Sequence, residues 1–309
     1  MTIKEAAERL LEQDDFLILT HQRPDGDTIG SGAGLCYALR KAGKNAFLYN
    51  NPQFSDSYDW AAEPYIEAEG YKPKYVIAVD LADAKLFPKG FEGEVDLCID
   101  HHLSNTFYAK ETLLMDRSSC GEVVLELSKE LCELDSVLAD LLYIAVSTDT
   151  GCFVYGNTNA DTHRAAALLF DAGAKTQFLN KLLFRTSSRA RLALEGMIFS
   201  SLRYHHEDKT VVSIVTKKML EEAGAEEKDC QDIASLPGRV EGAHTSIVIK
   251  EGDKGFCKVS LRTNGIVNAS NICALFGGGG HAMAAGCSIK KSCLEAEAML
   301  IEAIGKEYE

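Results

Sequence analysis

The chain has 309 residues, of which 46% are hydrophobic and 25% charged, and a formal net charge of −14. That length exceeds one comfortable core and predicts two domains, and the acidity excludes a protein that grips long duplexes through a broad basic face. No apolar run approaches a membrane span, and MTIKEAAERLLEQDDF reads as an amphipathic helix without the parts of a signal peptide, so a cytoplasmic protein with no membrane partner is expected.

After that helix, FLILT has the length of a buried strand and runs into HQRPDGDTIGS, with SGAGLCYALRKAG as the next helix. NAFLYNN, KYVIAVD and DLCIDHH follow as strands, then CGEVVLELSKELCEL and SVLADLLYIAVSTDTG as long helical stretches. Strands separated by helices predict βαβ units and an α/β fold whose mainly parallel sheet is flanked by helices. This unit is expected over 1–185, a helical connector over 186–209, and a smaller α/β domain with its own sheet over 210–309, from TVVSIVT, HTSIVIK, FCKVSLRT and a last helix. The ten cysteines form no CxxC pair and most sit in apolar runs, which argues against thiolate zinc.

Four places in the first half set acids or histidines at the end of an apolar run: His21, Asp25 and Asp27; Asp80; Asp100, His101 and His102; and Asp149. Singly, an Asp ending a strand is more often a helix cap or turn residue. Together the groups carry more weight, because a parallel sheet brings its strand ends to one edge, where ligands bind. Carboxylates with a few imidazoles and no thiolate suit Mn²⁺ or Mg²⁺, and a carboxylate bridging two ions suits hydrolysis of phosphate esters. In the second half GGGG at 277–280, with His281 beside it, lets backbone approach an anionic or planar ligand, and Arg262 could fork onto a phosphate.

HQRPDGD, AVDLAD, DHH and STDTG, in that order, together with GRVEG, SLRTNG and FGGGGHAMAAG, resemble the DHH superfamily of phosphoesterases and its accessory DHHA1 domain over nearly the whole chain. The resemblance implies two Mn²⁺ ions, with Mg²⁺ or Co²⁺ as substitutes. One would be held by His21, Asp25 and Asp80 and the other by Asp27, Asp80, His101 and Asp149, with Asp80 bridging. It further implies that Asp100 orients a histidine of the triplet, that His102 faces the phosphate as acid or charge stabiliser, and that Arg262, Gly278, Gly279, Gly280 and His281 touch substrate.

Within the superfamily, Gly26 between Asp25 and Asp27 and the absence of a basic run near the C-terminus weigh against a manganese pyrophosphatase. The length leaves no room for the extra domain of the single-strand exonucleases or the membrane segments of the cyclic dinucleotide enzymes. The short two-domain form remains, which degrades very short RNA and removes the 3′-phosphate of adenosine 3′,5′-bisphosphate (pAp). Short single-stranded RNA or nucleotides are therefore the expected partners, in a cleft between domains, and a homodimer is left open. A manganese inorganic pyrophosphatase or a cyclic or linear dinucleotide phosphodiesterase stands as the enzyme alternative, and a nucleotide-binding sensor as the non-enzyme one.

Overall fold

The computed structural model describes every residue except 55–57, 231, 254 and 309. The chain divides into two compact units, Met1–Thr186 and Ser187–Glu309.

The first unit runs α1 (Ile3–Glu12), β1 (Phe16–Leu19), α2 (Gly26–Lys41), β2 (Ala46–Leu48), α3 (Asp59–Ala62), β3 (Tyr75–Val79), β4 (Leu97–Asp100), β5 (Glu111–Leu114), α4 (Cys120–Leu131), α5 (Ser136–Asp149), α6 (Ala160–Asp171) and α7 (Thr176–Phe184). Its five strands are all parallel, in the order β2-β1-β3-β4-β5. Burial on both faces is why FLIL and YVIAV are unbroken apolar runs instead of alternating ones. The strand order reverses between β1 and β3, so the loops leaving those two strands diverge and open a crevice at the carboxyl edge of the sheet.

One face of the sheet, carrying Phe16, Ile18, Ile77, Val79, Leu97 and Ile99, packs in a single core with residues of the helices. On the other face Leu17, Leu19 and Ala78 are covered by loop aromatics that include Tyr49, Phe87, Phe91 and Tyr108. Phe87 meets Phe91 and Tyr108 edge-on, with ring centroids 5.4 and 5.3 Å apart, the arrangement aromatic quadrupoles favour.

Small residues in α2 matter because they let α2 and α5 touch backbone to backbone. A Cβ on Gly30 would lie 2.5 Å from the Leu141 carbonyl oxygen, and one on Gly26 would run into the Thr148 side chain. This close packing sets the start of α2, with Asp27, beside the end of α5, with Asp149, although the two residues are far apart in sequence.

The second unit contains α8 (Arg189–Ser200), β6 (Arg203–His205), β7 (Thr210–Val215), α9 (Lys217–Ala223), β8 (Thr245–Glu251), β9 (Cys257–Thr263), α10 (Ala269–Ala274), β10 (Gly279–His281), β11 (Ala284–Ile289) and α11 (Cys293–Tyr308). Its sheet has the order β10-β11-β9-β8-β7-β6, with only the β7–β8 pair parallel. Residues 186–209, expected as a connector, hold α8 and β6. Leu194 and Ile198 of α8 are buried with Val215, Ile233 and Val248, and β6 is an edge strand of the sheet, so the segment is built into the second unit. A helical pattern does not say which partner covers its apolar stripe. Among the described residues no helix is long and apolar enough to cross a membrane.

Candidate metal centre

Local structure first places the acids. The side chain of Asp25 caps α2, accepting from the N–H groups of Asp27 and Thr28. The cap therefore turns the HQRPDGD loop, and the same carboxylate stands 3.6 Å from His21 Nε2. Asp27, the second residue of the helix, accepts from the Cys120 N–H at 2.8 Å and from the Gly121 N–H and Ser31 hydroxyl at 3.0 Å each. It thus rests on the positive start of α4.

Asp80 follows β3 with φ +58°, a left-handed conformation that costs a non-glycine residue free energy. It stands at the centre of the group. Its Oδ2 is 3.8 Å from His21 Nε2, and its Oδ1 is 3.3 Å from His101 Nε2 and 3.6 Å from His102 Nδ1. His101 Nε2 also lies 3.7 Å from Asp27 Oδ2. Three overlapping groups, His21/Asp25/Asp80, Asp80/His101/His102 and Asp27/His101/Asp149, each bring their ligand atoms within 4.8 Å of one another. The structure therefore gathers all six residues expected to hold metal at one edge.

The second ring nitrogens fix which atom faces the acids. His21 Nδ1 donates to the Gln22 carbonyl at 2.9 Å and His101 Nδ1 to the Arg117 carbonyl at 3.1 Å, so each Nε2 is turned inward toward the carboxylates. His102 is turned the other way, its Nδ1 donating to Asp100 Oδ1 at 2.8 Å. That leaves Nε2 of this half-exposed ring free to meet a ligand.

Burial makes the charges costly. Asp27, Asp80 and Asp100 are 2%, 4% and 0% exposed, and Asp80 Oδ1 makes no well-aligned hydrogen bond. Burial, aided by the Asp80 and Asp149 charges, pushes the Asp27 carboxyl well above the usual range. Burial also pushes Asp149 up to about 6, with the Asp80 charge adding and His101 opposing. Burial acts to lower both histidines. The hydrogen bond and charge of Asp25, with the Asp80 charge, nevertheless carry His21 up to about 9, and Asp80 and Asp27 carry His101 up to about 10. An orphaned carboxylate oxygen with converging oxygen and nitrogen donors fits a hard divalent cation.

Three uncharged residues, which the sequence reading passed over, hold the arrangement. Asn51 donates to the Thr20 hydroxyl at 3.1 Å and the His21 carbonyl at 3.0 Å. The Asn105 amide donates to Asp100 Oδ2 at 2.6 Å, while its backbone N–H closes on the His102 carbonyl at 2.9 Å. Against its burial, the bonds from His102 and Asn105 keep the Asp100 carboxyl below its ordinary range. Asn157 donates to the Ser118 carbonyl at 3.0 Å and the Asp149 carbonyl at 3.1 Å, tying the loop behind His101 to the end of α5. The position of Asn105, three residues after the DHH triplet, was the available signal.

In the second unit Arg262, Ala284 and His281 form one row across β9, β11 and β10, and Ser260, Gly286 and Gly279 form the next. This face of β9 and β11 is open, whereas Val259, Leu261, Ala285 and Cys287 face the core. The glycine run has two jobs in this hairpin. A Cβ on Gly278 would lie 2.2 Å from the Gly286 carbonyl oxygen, and Gly280 has φ +147° with a Cβ position 2.6 Å from the Ala284 carbonyl oxygen, so both are required by the close approach to β11. Only Gly279 of the three expected contact glycines faces open space.

Residues 15–146 match the DHH family, N-terminal domain, and residues 208–308 match the DHHA1 domain. A Thermus thermophilus relative, the bifunctional oligoribonuclease and PAP phosphatase NrnA, is 33% identical over 300 residues, covering 94% of this chain and 89% of its own. The chain belongs to the DHH family. It is accordingly a phosphoesterase, and its DHH motifs are those that converge on Asp80. The Bacillus subtilis protein of the same name is 29% identical to this DHH protein over 311 residues, 96% of each chain. A solved exopolyphosphatase-related protein from Bacteroides fragilis shares the fold with a TM-score of 0.87, at 22% identity over 98% of this chain and 96% of that one.

Proposed function

We propose that the chain hydrolyses short oligoribonucleotides, down to dinucleotides, and the 3′-phosphate of pAp, using two Mn²⁺ ions. The observation that carries this reading is Asp80, a buried carboxylate shared by ligand groups on both sides, with one oxygen lacking an aligned partner. His21, Asp25 and Asp80 would hold one ion, and Asp27, Asp80, His101 and Asp149 the other. Four carboxylates with neutral imidazoles balance two divalent charges. Bound there, the ions would supply Lewis-acid polarisation of the phosphoryl oxygens and a water of lowered pKa.

The chain's own groups do the rest. Asp100 holds His102 in one tautomer, with Asn105 fixing the carboxylate from its far side. His102 Nε2 can then hold the proton that the departing ester oxygen needs, or a hydrogen bond to charge growing on phosphate. Residues 1–185 would form the catalytic part and 210–309 the substrate-binding part, where Arg262 and His281, in one row of an open sheet face, suit a phosphate or sugar edge. The activities for which the relatives from Thermus thermophilus and Bacillus subtilis are named agree with this substrate class. The net charge of −14 suits short ligands better than long strands.

The test compares kcat/KM with Mn²⁺ for an RNA dinucleotide, a 24-mer, pAp and pyrophosphate. Preference for the dinucleotide and pAp is expected. Turnover of pyrophosphate alone would overturn the reading, and turnover of none of them would favour a nucleotide-binding sensor.

A further inference from the structure

The metal edge is polar and buried, yet the two loops that leave it carry large apolar side chains into solvent. Leu103, directly after the DHH triplet, is 72% exposed and Phe107 64%. Val154 and Tyr155, five and six residues after Asp149, are 79% and 60% exposed.

Neither loop is slack. Phe107 has φ +52°, and its N–H donates at 2.7 Å to the carbonyl oxygen of the Asn105 side chain, the same amide that grips Asp100. After Asp149 come three consecutive left-handed residues, Gly151, Cys152 and Phe153, at φ +55°, +57° and +66°. Left-handed conformations cost L residues free energy, and a run of them persists only where the surroundings enforce it. Here Cys152 N–H donates to the Ser147 carbonyl at 2.7 Å, and the Val154 and Tyr155 N–H groups donate to the Thr150 carbonyl at 2.9 and 3.0 Å, folding the turn back on α5. The turn sends Phe153 inward onto His163, stacked at 5.4 Å. Val154 and Tyr155 are sent outward. The Tyr155 ring lies over Gly151, where a Cβ would come 2.5 Å from the ring carbons.

Left-handed backbone held by hydrogen bonds and exposed apolar side chains therefore coincide on the loops that leave one polar centre. Exposed apolar side chains on the loops that leave a phosphoester site match a ligand with an anionic end and a flat apolar end. We propose that Tyr155 and Phe107, flanked by Val154 and Leu103, are the specificity-determining residues that stack the nucleobases of the substrate whose phosphoester lies at the metal edge. The inference rests on the proposed function, and it adds why nucleotides would be chosen over base-free phosphates: every base offers a stacking face, whatever the sequence.

The experiment measures KM and kcat for an RNA dinucleotide and for the abasic ribose dimer of the same backbone. The wild type is compared with Tyr155→Ala, Phe107→Ala and the conservative Tyr155→Phe, with Phe178→Ala as an equally exposed aromatic on α7. The KM advantage of the base-bearing dimer should shrink roughly tenfold or more in the two alanine variants. Tyr155→Phe and Phe178→Ala should retain it, and Mn²⁺ affinity should hold in all four. An advantage unchanged in both alanine variants, or absent from the wild type, would overturn the stacking. Should the wild type cleave neither dimer, the functional reading fails by itself. A 2-aminopurine dinucleotide then decides: quenching on binding that Tyr155→Ala abolishes sustains the stacking, and no quenching overturns it.

Discussion

The two places that the DHH and DHHA1 motifs mark differ in how their polar groups are satisfied. At the carboxyl edge of the first sheet, carboxylates and imidazoles are buried, strained and crowded, so that pKa values move and Asp80 Oδ1 is left without an aligned partner. On the second sheet, Arg262 and His281 stand exposed beside small residues in an antiparallel ladder. Desolvated charge demands a counter-ion and can act on chemistry, whereas solvated charge can only select and hold. Losses at the first place should therefore fall on metal and kcat, and losses at the second on KM.

Asp80→Ala should break this contrast most severely, lowering kcat/KM at least roughly a thousandfold. Retained activity would mean that the buried carboxylate bridges nothing. Asn105→Ala should cost about ten- to a hundredfold in kcat, because Asp100 loses the donor on Oδ2 that fixes it against His102. An effect confined to KM would place Asn105 with the binding groups instead. Arg262→Ala should raise KM for the dinucleotide about tenfold while Mn²⁺ affinity, read by titration, stays put.

A purely structural carboxylate gives the baseline. Asp135 caps α5 and binds Lys41 at 2.8 Å. Burial opposes its ionisation, but bonds from Lys41, the Leu138 N–H and Tyr37 hold its pKa near 2. A folded-state pKa below the unfolded one gives stability that is present above the unfolded value and lost as pH falls through the folded one. Asp135→Ala should cost about 1 kcal/mol in urea unfolding at neutral pH, with a gap that closes as pH falls toward 2. Activity measured well below the melting range should not change.

Much of this was legible because acids and histidines follow apolar runs: FLIL stops two residues before His21, YVIAV runs into Asp80 and LCID into His101. The doubly marked Asp25 teaches caution about opposed readings, since it is at once the helix cap that a bland reading expects and a member of the acidic group. Asn51 and Asn157 were not legible, because a carboxamide carries no charge pattern and its role depends on which loop it meets, and Asn105 was marked only by its place after the triplet. The glycine run was readable as a close approach. Which surface approaches is settled by β11, and it takes up Gly278 and Gly280. Tyr155 escaped for a related reason: alternation cannot foresee a left-handed turn that sends Phe153 in and Tyr155 out.

The central claim is that Asp80 joins two cation sites, and a Mn²⁺ titration followed by electron paramagnetic resonance tests it most directly. Two ions per chain with spin coupling between them, reduced to one uncoupled ion or none in Asp80→Ala, is the result the account predicts. A single ion in the wild type, or two ions that Asp80→Ala leaves bound and coupled, would contradict it.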